Sequence, residues 1–248
     1  MVRILVTGST DGVGRATAAS LLDDGYDVVV HARNRRRLDD IGDLIDAGAA
    51  SVIGDLADAG QVEAIVEQAN RIGGFDAVIH NAGVIDGPDL LRVNVLAPYV
   101  LTARVPASRL VYLSSSMHRG GHADLSHLDG TGAGATYSDS KLYVTALMAA
   151  VARRRPDVLT HAVDPGWVPT KMGGPSASDD PALAHLTQAW LATTDDAEAL
   201  VSGRYWHHMR TEKPHPAVDD EAFQDAVLVA LAERTGVALV DASSSTTS

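Results

Sequence analysis

Short runs of β-branched and aliphatic residues alternate along the chain with stretches whose apolar positions recur at helical spacing. The runs are Arg3–Thr7, Asp27–Ala32, Ser51–Gly54, Ala77–His80, Arg109–Ser114 and Leu159–Val163. Most are continuously apolar, the pattern of strands buried on both faces of a parallel sheet. Between them the spacing predicts helices near Gly14–Asp23, Arg36–Ala47, Gly60–Arg71, Leu90–Ala103, Ser138–Arg154 and Pro181–Thr193, with a last one over Asp219–Glu233. Val201–Trp206 reads as a final strand, with Tyr205 and Trp206 in the core. This alternation predicts an α/β fold: one doubly wound parallel sheet with helices on both faces. No repeat or linker divides the chain, so residues 1–236 are expected to form one domain and the Ser/Thr-rich stretch 237–248 a disordered tail. Two long loops, 117–136 and 164–180, are rich in Gly, Pro and Asp and are expected to carry function.

At 248 residues and 46% hydrophobic content, the chain suits a single core. The formal charge of -12 excludes the basic face that nucleic acid requires. There is no cysteine, so disulfides, thiolate metal sites and a cysteine nucleophile are ruled out. No apolar run is long enough for a bilayer, and the first residues pass straight into a strand without a signal-peptide pattern. A cytoplasmic protein without membrane or nucleic-acid partners is expected.

The first run leads into Gly8-Ser9-Thr10-Asp11-Gly12-Val13-Gly14, and a helix follows. Glycines permit a tight turn and let the backbone approach a pyrophosphate. The N–H groups and positive dipole end of the next helix then face the phosphates. An ordinary glycine-rich turn would look the same; the strand–helix context gives the motif its weight. The spacing is Gly-x-x-x-Gly-x-Gly, and here the chain resembles the short-chain dehydrogenase/reductase family. The resemblance extends over almost the whole chain. It implies a single Rossmann-fold domain that binds NAD(P)(H) and exchanges a hydride with a carbonyl or alcohol.

The second run ends at His31-Ala32-Arg33-Asn34. A carboxylate at this point binds the ribose 2′-hydroxyl of NAD(H), whereas an arginine accommodates the 2′-phosphate of NADP(H). Arg33 stands there, a guanidinium suited to bidentate phosphate contacts. Arg35, Arg36 and Arg37 follow and are expected to be mostly solvated. NADP(H) is the expected cofactor and NAD(H) the alternative, because Asp11 occupies a turn position that is basic in many NADP-using relatives. Arg15 lies just past the turn.

The resemblance assigns cofactor contacts to Gly8, Ser9, Thr10, Gly12, Val13 and Gly14 in the turn. Asp55 and Leu56 match the family's Asp-Leu pair at the adenine, although Asp55 also reads as a helix cap. Asn81, Ala82 and Gly83 match the Asn-Ala-Gly segment beside the adenosine ribose. Pro165 and Gly166 match its Pro-Gly segment, with the Val168 backbone meeting the nicotinamide carboxamide and the Thr170 hydroxyl reaching the carboxamide or the pyrophosphate.

Tyr137 and Lys141 have the spacing that places two side chains on one helix face. An ammonium beside a tyrosine favours phenolate and lowers its pKa toward neutrality. The resemblance makes Tyr137 the general acid/base and Lys141 its partner and a ligand of the nicotinamide ribose. Ser115 best matches the serine that polarises the substrate oxygen, with Ser114 and Ser116 as fallbacks. Asn94 matches the asparagine that holds a water for proton relay.

Asn81 and Asn94 are closer together than in common relatives, and Ser115 and Tyr137 farther apart. The insert, Met117–Thr136, holds His118, His122 and His127, read as solvated loop histidines with no metal site. His207, His208 and His215 likewise need no metal. Residues 172–192, with Gly173-Gly174-Pro175, match the family's mobile substrate lid.

The leading expectation is an NADP(H)-dependent reductase of a moderately apolar ketone or aldehyde, or the reverse oxidation of a secondary alcohol. The substrate is pictured as a polyketide-, steroid- or retinol-like small molecule. A redox-neutral enzyme (epimerase or cyclase) and a non-catalytic cofactor-binding member remain open. A homodimer or homotetramer through the helices of Asn94 and Tyr137 is implied by the family.

Overall fold

The structure, a computed structural model, describes residues 1–129 and 134–241; part of the insert and the tail beyond 241 lie outside the described residues. Eight strands form one sheet: β1 Arg3–Val6, β2 Asp27–Ala32, β3 Ala50–Ile53, β4 Phe75–His80, β5 Ala107–Leu113, β6 Leu159–Asp164, β7 Arg204–His207 and β8 Arg210–Glu212. The spatial order is β3-β2-β1-β4-β5-β6-β7-β8, parallel throughout except for antiparallel β8. Winding reverses between β1 and β4, so the loops leaving these strands diverge and open a crevice at their C-terminal ends.

Alternate residues of each strand feed opposite cores. Ile4, Val6, Val28, Val30, Ile79 and Val111 pack with Leu21 and Leu191 on one face. Leu5, Val29, Val78, Leu110 and Tyr112 pack with Ile65, Leu101 and Leu147 on the other. The helices are α1 Gly12–Asp23, α2 Gly42–Asp46, α3 Ala59–Ile72, α4 Ala97–Arg104, α5 Ser126–Asp129, α6 Tyr137–Arg154, α7 Leu186–Thr193 and α8 Glu221–Thr235.

Several elements differ from expectation. The helix expected from Arg36 opens as a 3-10 turn, Arg35–Ile41, because the Asn34 side chain accepts from the Arg37 N–H and α2 only starts at Gly42. The helix expected from Leu90 starts with a π-helical turn, Arg92–Leu96, that runs into α4. Pro98 has no N–H to offer the carbonyl four residues back, which belongs to Asn94, so the regular ladder cannot form there. β8 was not foreseen: Arg210-Thr211-Glu212 is polar and exposed, as an edge strand can be. The stretch 237–241 is not a free tail, since Val237 and Leu239 pack on the core and the Tyr99 hydroxyl donates to the Val237 carbonyl at 2.7 Å.

No residue of α6 is exposed, and α8 packs against it. The helix that the resemblance assigns to subunit pairing is thus covered within the chain. Leu147→Ala, at a fully buried α6 position, is expected to cost about 2–5 kcal/mol of unfolding free energy. Because Leu147 is buried within the chain itself, the loss should be independent of protein concentration. Urea unfolding at two concentrations checks both statements.

Candidate active site

The glycine turn sits where β1 meets β4. Gly8 and Gly12 have φ of 66° and 51°, a region that favours glycine. A Cβ on Gly8 would lie 2.8 Å from the Ala82 Cα, and one on Gly14 would lie 2.2 Å from Asn81 Nδ2. Asn81 donates through Nδ2 to the Thr7 carbonyl (2.9 Å), and the Thr7 hydroxyl accepts from the N–H groups of Asn81 (3.0 Å) and Ala82 (3.1 Å). His31 locks the other side. Its Nδ1 accepts from the Gly8 N–H at 3.0 Å and its Nε2 donates to the Gly54 carbonyl at 2.9 Å. Burial holds His31 below the ordinary histidine range, so it stays neutral. Ser9 turns inward: its hydroxyl donates to the Val6 carbonyl and accepts from the His31 N–H, both at 2.8 Å. The Ser9 side chain is scaffold, and Gly8, Thr10, Gly12, Val13 and Gly14 line the cleft.

Arg33 reaches the same cleft, exposed and without an ion-pair partner among the described residues. Arg35 and Arg36 are exposed, as expected. Arg37 is not merely solvated: it donates to the Thr10 hydroxyl at 3.1 Å and faces Asp40 at 2.5 Å and Asp11 at 3.8 Å. Asp11 caps α1 by accepting from the Gly12 N–H at 2.8 Å and is paired with Lys171. The Lys171 hydrogen bond is the largest of the influences that hold the Asp11 carboxyl below its usual range. The cap of α3 is Asp58, which accepts from the Gln61 N–H at 3.0 Å. Asp55 is therefore not the helix cap; it and Leu56 line the cleft.

Asn94 is buried in the π-helical turn. Its side-chain amide accepts from the Val84 N–H (2.8 Å) and donates to the Val84 carbonyl (2.9 Å) and the Ser140 hydroxyl (3.0 Å). The shortened segment after Asn81 is pinned by this clamp. A Cβ on Gly83 would lie 3.4 Å from Asn94 Oδ1 and 3.6 Å from Lys141 Nζ, so the three residues converge.

The three serines after β5 divide their roles. Ser114 is buried and shares a 2.6 Å hydrogen bond with Thr145. Ser116 is exposed, and its N–H donates to Asp164 at 2.7 Å. Ser115 hydrogen-bonds the Tyr137 side chain, which favours the first choice over both fallbacks. Tyr137 and Lys141 stand one turn apart at the start of α6, which is fixed by a capping box between Thr136 and Asp139.

Lys141 donates to the Leu113 carbonyl at 2.6 Å and lies 5.4 Å from the centre of the Tyr137 ring. Burial draws its pKa down to about 8, while Asp164 opposes the change. Tyr137 goes the other way: burial, and then the Asp164 charge, push it up to about 12, against the Ser115 hydrogen bond. The expected lowering by Lys141 is thus not found, because the ammonium lies against the ring and points to a carbonyl. The sequence alone assigns Asp164 no role. An acid closing the apolar strand Leu159–Asp164 was the available signal.

The remaining histidines correct the solvated reading in part. His118 is fully buried: Nδ1 donates to the Ser115 carbonyl at 2.6 Å and Nε2 accepts from the His215 N–H at 3.0 Å. His122 stays exposed, with its Nδ1 3.1 Å from Asp139 Oδ1, and no group of three or more metal-ligating side chains occurs among the described residues. The expected lid divides. Residues 171–185 run as turns, of which Lys171 and Met172 line the cleft, whereas α7 is packed on α1, with Gln188 donating to Thr17 at 3.2 Å. Thr170 borders Gly12 and lines the cleft with Pro165, while Gly166 and Val168 form the turn behind them.

These residues enclose one cleft of about 590 Å³, running from Arg33 and Asp55 past the glycines to Tyr137 and Lys141. The family model for short chain dehydrogenases matches residues 3–105. The short-chain dehydrogenase chry4 of Gibberella zeae is 34% identical over 256 residues, covering 96% of this chain and 99% of the relative. The protein belongs to the short-chain dehydrogenase/reductase family. A relative in Streptomyces, carrying the name daunorubicin C-13 ketoreductase DnrU, is 33% identical and covers 84% of this chain and 83% of its own. A short chain dehydrogenase of Shigella flexneri, solved in complex with NADP, superposes with a TM-score of 0.68 at 25% identity, over 84% of this chain and 97% of that one. The site residues fit the family's dinucleotide: the turn has no room for side chains, Gly12, Val13 and Gly14 at the start of α1 line the cleft, and Arg33 has no ion-pair partner among the described residues.

His80, which closes β4 just before Asn81, is buried and neutral, with its pKa lowered from 6.5 to about 3 by burial. Its contribution to stability is full above the unfolded value and is lost as the pH falls, because the unfolded chain takes up the proton first. Below 6.5 the loss should approach about 1.4 kcal/mol per pH unit from this residue alone. Urea unfolding at about pH 7.5 and about pH 5.5 should show the decline, and His80→Asn should lessen it by this residue's share, leaving that of the other buried histidines such as His31.

Proposed function

We propose that the protein reduces a ketone or aldehyde with NADPH, or oxidises the corresponding secondary alcohol with NADP⁺. The observation that carries this reading is the cleft that joins the glycine turn and Arg33, which has no ion-pair partner among the described residues, at one end to Tyr137 and Lys141 at the other, with Ser115 acting on Tyr137 from beside it. The nicotinamide supplies or accepts the hydride when bound. The Ser115 hydroxyl holds the substrate oxygen. Tyr137, kept as a neutral phenol by its surroundings, gives that oxygen its proton in reduction. Lys141 binds the nicotinamide ribose and replaces the proton. The Asn94 side chain is used up by Val84 and Ser140, so a water linking Lys141 to solvent is held by the Asn94 carbonyl, to which Pro98 has no N–H to donate.

Preference for NADP(H) is supported by Arg33, by Arg37 beside Thr10, and by the neutralisation of Asp11 by Lys171. Met117, Trp167 and Met172 are exposed around the catalytic end, which suits a moderately apolar carbonyl substrate.

An NADPH-oxidation screen over ketones and aldehydes tests the reaction; silence over a broad panel would refute it. Tyr137→Phe should lower kcat by about 10²–10⁴ while cofactor affinity holds, with turnover and tryptophan-quenching titration as the two readouts. Arg33→Ser should weaken NADPH binding by about tenfold and leave NADH binding nearly unchanged; equal losses for both would remove the case for a 2′-phosphate site.

A further inference from the structure

Beyond the cleft lining, one buried charge has no assigned part. Asp164 closes β6 and is buried. Its Oδ2 accepts from the Ser116 N–H at 2.7 Å and from the Tyr205 hydroxyl at 3.2 Å, and its Oδ1 accepts from the Gly166 N–H at 2.9 Å. All three partners are donors, the setting of an ionised carboxylate. Two of the bonds are structural staples: one fixes the turn that carries Ser115, the other the turn that carries Pro165.

The groups facing it can be named element by element. From α6 come Lys141, whose ammonium bonds the carbonyl of Leu113, the β5 partner of Val163 just before Asp164, and Tyr137, beside the Ser115–Ser116 turn that Asp164 holds through the Ser116 N–H. From β7 come the Tyr205 hydroxyl and His207, whose Nδ1 lies 3.5 Å from Oδ2 and has no hydrogen bond. From the turn after Ser115 comes His118, whose two ring nitrogens are both engaged in neutral form. Arg119 lies over the Tyr205 ring at 5.2 Å but is paired with Glu212 of β8 at 2.6 Å. Lys141 is therefore the one buried cation near Asp164 among the described residues.

We propose that Asp164 is a positioning residue that sets the proton affinity of the Tyr137–Lys141 pair: its carboxylate fixes the Ser115 turn and, as a buried anion, holds both side chains in their protonated forms. The physics is one-directional. A buried anion stabilises a nearby ammonium and destabilises a nearby phenolate, so both groups keep their protons to higher pH. The direction of influence on each agrees: Asp164 raises the pKa of Lys141 and of Tyr137 alike. A protonated pair is the form that donates to a carbonyl oxygen, so Asp164 favours reduction over oxidation. This deepens the proposed reductase reading and rests on it for the catalytic consequence, but the electrostatic part needs no substrate.

The chain has three lysines, Lys141, Lys171 and Lys213. Carbon-13-labelled lysine therefore gives few NMR signals, and the one that survives K171R and K213R belongs to Lys141. In D164N its titration midpoint should fall by about one pH unit relative to wild type. In Y205F, which loses a bond but keeps the anion, it should stay within about 0.3 of a unit, and D164E should restore the wild-type midpoint. With an active substrate, the alkaline limb of kcat for reduction should move to lower pH in D164N by a similar amount, since the pair titrates as a unit. D164S is the second neutral variant should D164N melt too early for NMR. A Lys141 midpoint unchanged in both neutral variants, or shifted as far in Y205F, overturns the proposal. A shifted midpoint in a protein that reduces no carbonyl upholds the proposal and refutes the reductase reading; a reductase whose midpoint does not move does the reverse.

Discussion

The backbone of the turn after β1 lies against the backbone that leaves β4, with no room for a side chain between them. Gly8 meets Ala82 and Gly14 meets Asn81 at distances a Cβ would close completely. Thr7, Asn81 and His31 bond the contact on both sides, satisfying four backbone groups. Since this is also where the sheet reverses its winding, the contact decides where the crevice opens and how close a pyrophosphate can come to the α1 amides. The catalytic end is attached to the same place. Asn81 leads through a short segment to Val84, Val84 is clamped by Asn94, and Asn94 is bonded to Ser140 beside Lys141.

At the catalytic end, desolvation outweighs the local pairing. Tyr137 and Lys141 are both short of water, and burial drives them toward their neutral forms from opposite sides. A helix spacing that puts the two on one face does not make them an ion pair, because the ammonium finds the Leu113 carbonyl first. Their values draw apart, and an ammonium near neutrality beside a reluctant phenol is an arrangement that gives up protons inward, toward a substrate oxygen, rather than holding a phenolate at rest.

Most of the sheet was legible because strands buried on both faces must be apolar throughout. β1, β2 and β6 start where the apolar runs do. β8 was invisible for the opposite reason: it pairs on one edge only and buries nothing, so its three polar residues carry no pattern. The helix faces were legible, but their irregular starts were not. Asn34 diverts the Arg37 N–H into a 3-10 turn, and Pro98 disturbs a ladder one turn upstream, effects that hydrophobic periodicity does not register. In the site, the glycines and the Tyr-x-x-x-Lys spacing were readable from order alone. The roles of Asp164, Arg37 and His118 were not, because each depends on a partner distant in sequence: Ser116, Thr10 and His215 respectively.

Asp11 shows how a local rule and a functional need can coexist. As the cap of α1 it satisfies an amide that would otherwise face the cleft unpaired, which favours an acid at this position. As a charge beside incoming phosphates it opposes them. Lys171 and Arg37 resolve the conflict by bringing two cations to the same carboxylate. Lys171 belongs to the segment beside the cleft, so the contact that cancels the charge also ties that segment to the glycine turn. Both partners are well exposed, and an ion pair of this kind contributes at most about 1 kcal/mol. A hold that weak can be exchanged for contacts to a phosphate without penalising release, so the acid at the turn is compatible with an anionic cofactor.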